Sequence, residues 1–155
     1  MNRSASSFIC AAIATVFAGC TAGAPGAPSS DQVANGVLVQ ESLTKFGQTS
    51  SQFGTIGGFS PNIVVVAHGT TVQFHNEDSF NHTASSIAAA AFPPGNPISN
   101  AALTQSGTDV SQPGWSSGVL LPNAFSQPLQ TAQTGTYLFG CFYHYPIMRG
   151  VIIVQ

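Results

Sequence analysis

One short segment near the C-terminus contains three side chains that bind metals well: a thiol, an imidazole and a thioether. They belong to Cys141, His144 and Met148, with two residues between the cysteine and the histidine and three between the histidine and the methionine. Thiolate and thioether sulfur suit Cu(I), while imidazole also suits Cu(II). A mononuclear blue copper site uses two histidines, one cysteine and a weak axial methionine. The segment therefore supplies this whole set except for one histidine.

The second histidine must come from a distant part of the chain, and His82 is the best candidate. It lies just past a predicted strand that ends near Asn76, so its loop can sit at the same end of a β-sandwich as Cys141. His68 and His75 occupy turn and strand positions on a polar face, and we expect neither to be a ligand.

Each candidate also has a simpler interpretation. Cys141 and Met148 are residue types that often fill space in a core, and His82 would serve equally as a loop histidine bonded to a carbonyl. Zinc would also accept one cysteine and two histidines, and such a site would be colourless. We interpret Glu77-Asp78 as a solvated turn, and Trp115 as a packing residue.

The elements that must position these ligands are predicted to be strands. Ile63–Val66 is β-branched, residues 67–69 resemble a turn, and residues 71–75 alternate between polar and apolar, so this region predicts a hairpin. Residues 136–141 and 151–154 predict two further strands around the ligand loop.

A long irregular excursion separates the two predicted strand pairs. Residues 84–125 are rich in Ala, Ser, Pro, Gly and Asn, which predicts a few short strands, and only residues 85–92 could form a short helix. With abundant turn residues and no long amphipathic helix, the chain is predicted to be all-β, an antiparallel sandwich or barrel.

The 155 residues contain few charges, which restricts the kinds of partner. Charged residues make up 5% of the chain and only three are basic, against roughly a quarter charged in an average protein. Three cations cannot neutralise a run of phosphates, so nucleic acid is not expected as a partner. With a formal net charge of -2, a protein partner would meet an uncharged or apolar face.

The N-terminus predicts export. Residues 1–19 have a positive start and a short apolar run, as in a signal peptide. The run ends in Phe17-Ala18-Gly19-Cys20, which resembles the bacterial lipoprotein cleavage box and would leave Cys20 lipidated. Ordinary cleavage near Ala22 or Ala24 is the alternative. Residues 20–35 predict a flexible linker, and residues 36–155 a single domain.

This interpretation places the protein in the periplasm or cell envelope, attached to a membrane only through the lipid on Cys20. Thr21 stands where an aspartate often marks inner-membrane retention, which favours the outer membrane. Since Cys10 would leave with the signal, the exported domain keeps Cys141 alone and has no internal disulfide. A lone thiol in an oxidising compartment is vulnerable unless it is buried or bound, which favours a metal site.

Residues 36–155, apart from 84–114, resemble the cupredoxins, the type 1 copper proteins related to plastocyanin, pseudoazurin and amicyanin. The motifs similar to that family are Phe59-x-Pro61, Gly69-Thr70-Thr71-Val72-x-Phe74-x-Asn76, His82-Thr83, Ser117-Gly118, Gly135-Thr136-Tyr137 and Met148-x-Gly150-x-x-x-Val154. The resemblance implies a Greek-key β-sandwich that holds one copper ion.

The resemblance also implies a role for each ligand. His82, Cys141 and His144 would be equatorial ligands and Met148 the axial one, while Asn76 would tie the two ligand loops together by hydrogen bonds. The family usually has two or four residues between the second histidine and the methionine, and this chain has three. The spacing that sets the position of the axial sulfur is therefore where this chain departs from the family.

The function implied is one-electron transfer between redox partner proteins. Phe80, Tyr145, Pro146 and Ile147 would form an apolar rim around His144, where a partner docks with little dependence on salt. Copper storage, delivery or resistance at the same site is the alternative, and a metal-free surface interaction module is a third interpretation. We expect no enzyme, because multicopper oxidases and nitrite reductases need more than the four histidines present, and a dinuclear centre needs two cysteines in the domain.

Overall fold

The computed structural model describes residues 36–155. The predicted signal peptide, the lipidated Cys20 and the linker lie outside the described residues. Within the described part, no helix has both the length and the apolar character needed to cross a bilayer.

Nearly all of the regular secondary structure among the described residues consists of short strands. The only helical element among these residues is a 3₁₀ turn at Asn100–Leu103. The strands are β1 Gly36–Glu41, β2 Thr49–Ser51, β3 Gly54–Ile56, β4 Phe59–Ser60, β5 Ile63–Val66, β6 Thr71–Asn76, β7 Ser85–Ile87, β8 Gln105–Ser106, β9 Ser116–Ser117, β10 Leu129–Gln130, β11 Gly135–Gly140 and β12 Arg149–Val154.

Two sheets pack face to face around one core, which confirms the predicted β-sandwich. One sheet has the strand order β10-β6-β1-β4 and the other β5-β12-β11-β7-β9-β8, while β2 and β3 form a separate hairpin. Pairing is mostly antiparallel, but β1 runs parallel to β6 and β12 runs parallel to β5. The inward side chains of both sheets meet in a single buried cluster.

The predicted hairpin of residues 63–75 is wrong. β5 pairs with β12 in the six-stranded sheet, whereas β6 pairs with β1 and β10 in the four-stranded sheet. The turn between them therefore crosses from one sheet to the other, and Gly69 permits this with a φ of 81°. Two strands show the same alternation of polar and apolar residues whether they pair with each other or belong to different sheets. The local sequence pattern therefore did not distinguish a hairpin from a crossover between sheets.

The prediction of two C-terminal strands around a loop is confirmed. β11 and β12 pair antiparallel from Gly135 opposite Val154 to Gly140 opposite Arg149. The ligand loop is the connection between them, so one ladder fixes both of its ends.

The long irregular excursion with a few short strands is also confirmed, and residues 85–92, the one part that could have formed a short helix, do not form one. Ser85–Ile87 forms β7, which pairs with β11, and the remainder of residues 85–92 is not helical. The hydroxyl groups of Ser85 and Ser116 are 2.8 Å apart in the interior. Because this contact and the β11 ladder satisfy the polar groups of the segment, a strand is favoured here over a helix.

Four aromatic side chains form the centre of the core. The ring centroids of Phe59 and Phe139 are 4.8 Å apart, those of Phe74 and Phe139 are 5.2 Å apart, and Trp115 stacks on Phe74 at 5.9 Å. The Trp115 indole also donates a hydrogen bond to the carbonyl of Val110 (3.0 Å). Trp115 is thus a packing residue, as predicted, and it anchors the excursion to the sandwich.

Candidate metal centre

The structure brings His82, Cys141 and His144 together at one end of the sandwich. One ligand atom from each lies within 4.8 Å of the others. The Cys141 Sγ is 3.4 Å from Nδ1 of His144 and 3.8 Å from Nδ1 of His82. A sulfur and two imidazole nitrogens that converge in this way suit a soft or borderline metal ion.

Cys141 and His144 are positioned by the end of the β11-β12 ladder. Cys141 follows the last residue of β11, and its N–H donates to the carbonyl of Met148 (3.2 Å). The N–H groups of Ile147 and Met148 both donate to the carbonyl of His144, at 2.8 and 3.0 Å. These bonds close the loop into a compact turn, and they explain why the Cys-x-x-His spacing presents both side chains to one point.

Met148 lies fully buried in the same core cluster as Cys141. The backbone of Gly58 packs directly against it: a Cβ at position 58 would come within 2.3 Å of the Met148 Cγ, and the φ of Gly58 is +73°. Gly58 therefore allows the thioether side chain to sit where it does. The axial role of Met148 stays a prediction.

His82 is held in place by hydrogen bonds made by its backbone N–H, its backbone carbonyl and its ring. Its N–H donates to the carbonyl of Leu120 (3.1 Å), and its own carbonyl accepts from Leu120 (2.9 Å). Its Nε2 lies 2.9 Å from Oδ2 of Asp78. With Nε2–H donating to the carboxylate, Nδ1 keeps its lone pair and faces Cys141, which is the arrangement a metal ligand requires.

Asp78 is buried, so the interpretation of Glu77-Asp78 as a solvated turn is wrong for this residue. Oδ1 accepts hydrogen bonds from the hydroxyl groups of Ser42 (2.7 Å) and Thr44 (2.6 Å), and Oδ2 accepts one from the Leu43 N–H (2.7 Å). Glu77 is only partly solvated: its side chain is 15% exposed and pairs with the exposed Lys45 at 2.7 Å.

These contacts set the charge of Asp78. Burial works to raise the pKa of the carboxyl, but the hydrogen bonds from Thr44, Ser42 and His82 outweigh it and hold the pKa well below its usual range. The ionised carboxylate then orients His82. In the sequence, the only sign of this role of Asp78 is its position four residues before His82. That spacing is uninformative until residues 42–44, which are distant in the chain, are known to contact Asp78.

Asn76 and Thr83 secure the two ligand loops. The Asn76 side-chain amide donates to the carbonyls of Phe80 (2.8 Å) and Leu120 (2.9 Å), so it fixes the loop that carries His82. The direct tie to the Cys141 loop, which the family resemblance assigned to Asn76, is made by Thr83. The Thr83 N–H points at the Cys141 sulfur (3.4 Å), and its hydroxyl accepts from the Phe142 N–H (2.9 Å).

Without a metal, the thiol and the two imidazoles differ in whether they are ready to bind a cation. Burial raises the pKa of the Cys141 thiol to about 11. Burial also lowers the pKa of His82, against the opposing effect of Asp78, and it lowers the pKa of His144, with His82 adding to the effect. Both imidazoles are therefore neutral near pH 7 and free to bind a metal, and a bound cation would supply the charge that stabilises the thiolate.

The other two histidines lie apart from this cluster, as predicted. His68 is exposed, with Nε2 2.9 Å from the carbonyl of Ala132. His75 stacks on Phe125, with ring centroids 4.1 Å apart.

The excursion packs against the ligand loop, a function that its sequence did not indicate. The Tyr145 hydroxyl donates to the carbonyl of Pro93, and the Asn96 amide donates to the carbonyl of Phe142 (2.9 Å). The Arg149 guanidinium lies 5.0 Å from the centre of the Phe92 ring. Residues 92–96 therefore hold the outer side of the loop.

The amicyanins are among the solved proteins that share this fold. A reduced tryptophan-to-tyrosine variant of amicyanin has a TM-score of 0.52 at 15% identity, over 81% of this chain and 87% of that one. The reduced Cu(I) form at pH 4 of a proline-to-glycine variant gives 0.52 at 16% identity, with the same coverage. A Cu(I) methionine-to-alanine variant gives 0.50 at 16%, over 77% of this chain and 82% of that one.

These likenesses show that the chain has the cupredoxin fold, which confirms the predicted fold class. No protein-family profile matches the sequence, and no curated protein does. The identity is low throughout, so the chemistry of the site depends on its own residues.

The buried carboxylate of Asp78 predicts a specific pH dependence of stability for the metal-free protein. Because the folded-state pKa is depressed, Asp78 stabilises the fold above its unfolded pKa of about 3.9, and this contribution is lost as the pH falls below that value. Asp78→Asn should lower the free energy of unfolding at neutral pH by on the order of 1.5–3 kcal/mol. Its stability should fall less than that of the wild type between about pH 4 and about pH 2.

Urea unfolding at several pH values measures this effect, and Asp109→Asn is the matched control. Asp109 is also buried and hydrogen-bonded, to Ser111 and Ala132, but it does not contact His82. Only the Asp78 variant should change the His82 tautomer seen by nitrogen NMR. An equal stability loss at neutral and acidic pH in the Asp78 variant would contradict the assignment.

Proposed function

We propose that this protein binds one copper ion through His82, Cys141 and His144, with Met148 as the axial ligand, and carries single electrons. The observation that carries the proposal is the convergence of one thiol and two imidazoles within 4.8 Å on a cupredoxin fold. The amicyanin structures with this fold include Cu(I) forms, and this chain supplies the same kind of soft donor set.

The hydrogen bonds around the ligands favour rapid electron transfer. Copper, when bound, would cycle between Cu(I) and Cu(II). Asp78 fixes His82, Thr83 links the two ligand loops, and the β11-β12 ladder fixes both ends of the loop that carries His144. Ligands that the protein already holds in place change position little when the metal gains or loses an electron. The barrier to electron transfer is therefore low.

The surface around His144 fits a docking face for a redox partner. His144 is half-buried, and its ring centroid lies 5.5 Å from that of Phe80. Phe80 is 38% exposed and Ile147 is 49% exposed, and Pro146 is also exposed. Tyr145 is more enclosed because it bonds to Pro93. An electron would cross this apolar face through the His144 ring.

We place the protein outside the cytoplasm, anchored by lipid on Cys20. Support comes from residues 1–20 alone, with their positive start, short apolar run and lipoprotein-like cleavage box. An extracytoplasmic location also agrees with a domain that buries its one thiol fully.

The visible spectrum of the copper-loaded protein tests the proposed site. The oxidised wild type should be intensely coloured because a thiolate is bound to Cu(II). Cys141→Ser should lose the colour outright, since a hydroxyl cannot replace the thiolate. Met148→Leu, of similar volume, should keep the colour and shift the reduction potential upward.

A colourless wild type, or a Cys141→Ser variant with an unchanged spectrum, would rule out the blue copper site. Storage or delivery of Cu(I) at the same site is the second candidate function, and the electron self-exchange rate separates the two. An electron carrier exchanges quickly, whereas slow exchange in a coloured protein would favour copper handling.

The apolar docking face predicts how self-exchange responds to substitution and salt. Ile147→Lys would bring two positive charges together when two copies of the protein meet. A repulsion of about 1.4 kcal/mol lowers the population of the encounter complex tenfold, so the self-exchange rate should fall at least roughly tenfold. The wild-type rate should change little with ionic strength, since so few charges are present.

Val65→Lys is the matched control, because Val65 is an exposed aliphatic residue that pairs with Ile153, towards the far end of β12. It should leave the rate near the wild-type value. Equal effects of the two substitutions, or a steep salt dependence of the wild type, would place docking elsewhere.

A further inference from the structure

Glu41 is a buried carboxyl group that lacks any hydrogen-bond partner. It is the last residue of β1, its side chain is fully buried, and neither carboxyl oxygen has a partner among the described residues. Buried carboxyl groups are normally hydrogen-bonded or paired, because a lone buried charge is very costly. An exception of this kind calls for a physical reason.

The polar groups that follow Glu41 in the chain, and those of its strand neighbours, are engaged elsewhere. Ser42, Leu43 and Thr44, the next three residues, direct their hydrogen bonds to Asp78. The strand neighbours of Glu41 are Asn76, whose side chain bonds to Phe80, Leu120 and Asp78, and Phe59, which has no polar group on its side chain.

Neither of the cations in the described part of the chain pairs with Glu41. Lys45 pairs with Glu77, and the Arg149 guanidinium lies over the Phe92 and Tyr145 rings. The ionisable groups that act on Glu41 or respond to it are Asp78, from the loop after β6, and Cys141, at the end of β11. Ser42, which follows Glu41, donates its N–H to the carbonyl of Gly58 (3.0 Å), and Gly58 packs against Met148. A cation at the candidate metal centre would therefore place a positive charge at the same end of the core as this carboxyl group.

Burial raises the pKa of Glu41 to about 8, and the negative charge of Asp78 adds to the effect. The charge of Glu41 in turn contributes to the raised pKa of the Cys141 thiol, so the two groups interact electrostatically. Glu41 is nevertheless not a ligand: it lies outside the group of donor atoms that converge, and no hydrogen bond joins it to any of the four predicted ligands.

We propose that Glu41 is a redox-linked proton site, which takes up a proton from solvent when the copper centre is reduced and releases it when the centre is oxidised. This inference rests on the proposed copper function. The carboxylate of Glu41 and the proton form one O–H bond, while the electron from the redox partner converts Cu(II) to Cu(I), so each electron is accompanied by at most one proton.

The direction of the coupling follows from charge. A thiolate with Cu(II) has a net charge of +1, and with Cu(I) it is neutral, so oxidation stabilises an ionised Glu41 and reduction stabilises the protonated form. The reduction potential should therefore fall as the pH rises from the Glu41 pKa of the oxidised protein to the higher pKa of the reduced protein.

Potentiometric titration of the copper-loaded full chain at several pH values tests this inference. Between about pH 5 and about pH 9, the wild type should show a falling potential. Glu41→Gln mimics the protonated acid in shape and charge, so the two proteins should have similar potentials at the acidic end. The wild-type value should then drop progressively below that of the variant, with a slope of no more than one proton per electron.

Glu77→Gln is the matched control, since Glu77 is a partly buried carboxylate that has partners, Lys45 and Gln40, and it should follow the wild-type profile. A difference between wild type and Glu41→Gln that stays constant with pH would overturn the proposal. Titration of a ligand histidine cannot imitate the expected result, because it would act in both proteins and leave their difference unchanged.

A direct measurement on the wild type keeps the inference testable if Glu41→Gln fails to fold. Reduction of a weakly buffered sample near pH 7.5 by a proton-free inorganic complex should raise the pH as protons are taken up. No uptake between about pH 6 and about pH 9 would overturn the proposal. A coloured protein with no proton uptake would defeat this inference alone, whereas a protein that never becomes coloured would defeat the proposed copper function.

Discussion

The hydrogen bond between His82 and Asp78 is the contact on which the arrangement of the site depends. It determines which nitrogen of His82 faces Cys141, and it places an ionised carboxylate in the interior of a protein that has few charges. That carboxylate is tolerated because Ser42, Leu43 and Thr44 all donate hydrogen bonds to it. The segment that follows β1 therefore helps to build the candidate metal centre, although none of its residues belongs to the group of converging donors.

The same stretch of chain gives two neighbouring carboxyl groups opposite properties. Asp78 receives the available donors and is ionised, while Glu41, one residue before those donors, receives none and has its pKa raised. When the environments of two acids shift their pKa values in opposite directions, the two acids can perform different tasks. In this protein Asp78 orients the ring of His82, and Glu41 is left without a partner.

Much of the site was predictable because three of the four predicted ligands lie close together in the sequence. Cys141, His144 and Met148 lie within one loop between two strands, and the strands around them were predicted correctly. Contacts between distant segments were not predictable. Asp78 resembled a surface turn because its partners lie more than thirty positions away, and the strand pattern of residues 63–75 could not show that β5 and β6 belong to different sheets.

The excursion illustrates the same limit. Its composition predicted irregular structure, and this is what forms, but only the folded chain shows Pro93 and Asn96 bonded to the ligand loop. Residues 85–87 form a strand and not a helix because β11 offers them a ladder. Local propensity is overridden here by a partner far along the chain.

X-ray absorption spectroscopy of the copper-loaded chain, in both oxidation states, tests the central claim most directly. The account predicts a first shell of one sulfur at short distance and two imidazole nitrogens, with little change on reduction. A shell of nitrogen and oxygen alone, or a large rearrangement between the two states, would contradict a site preformed by His82, Cys141 and His144.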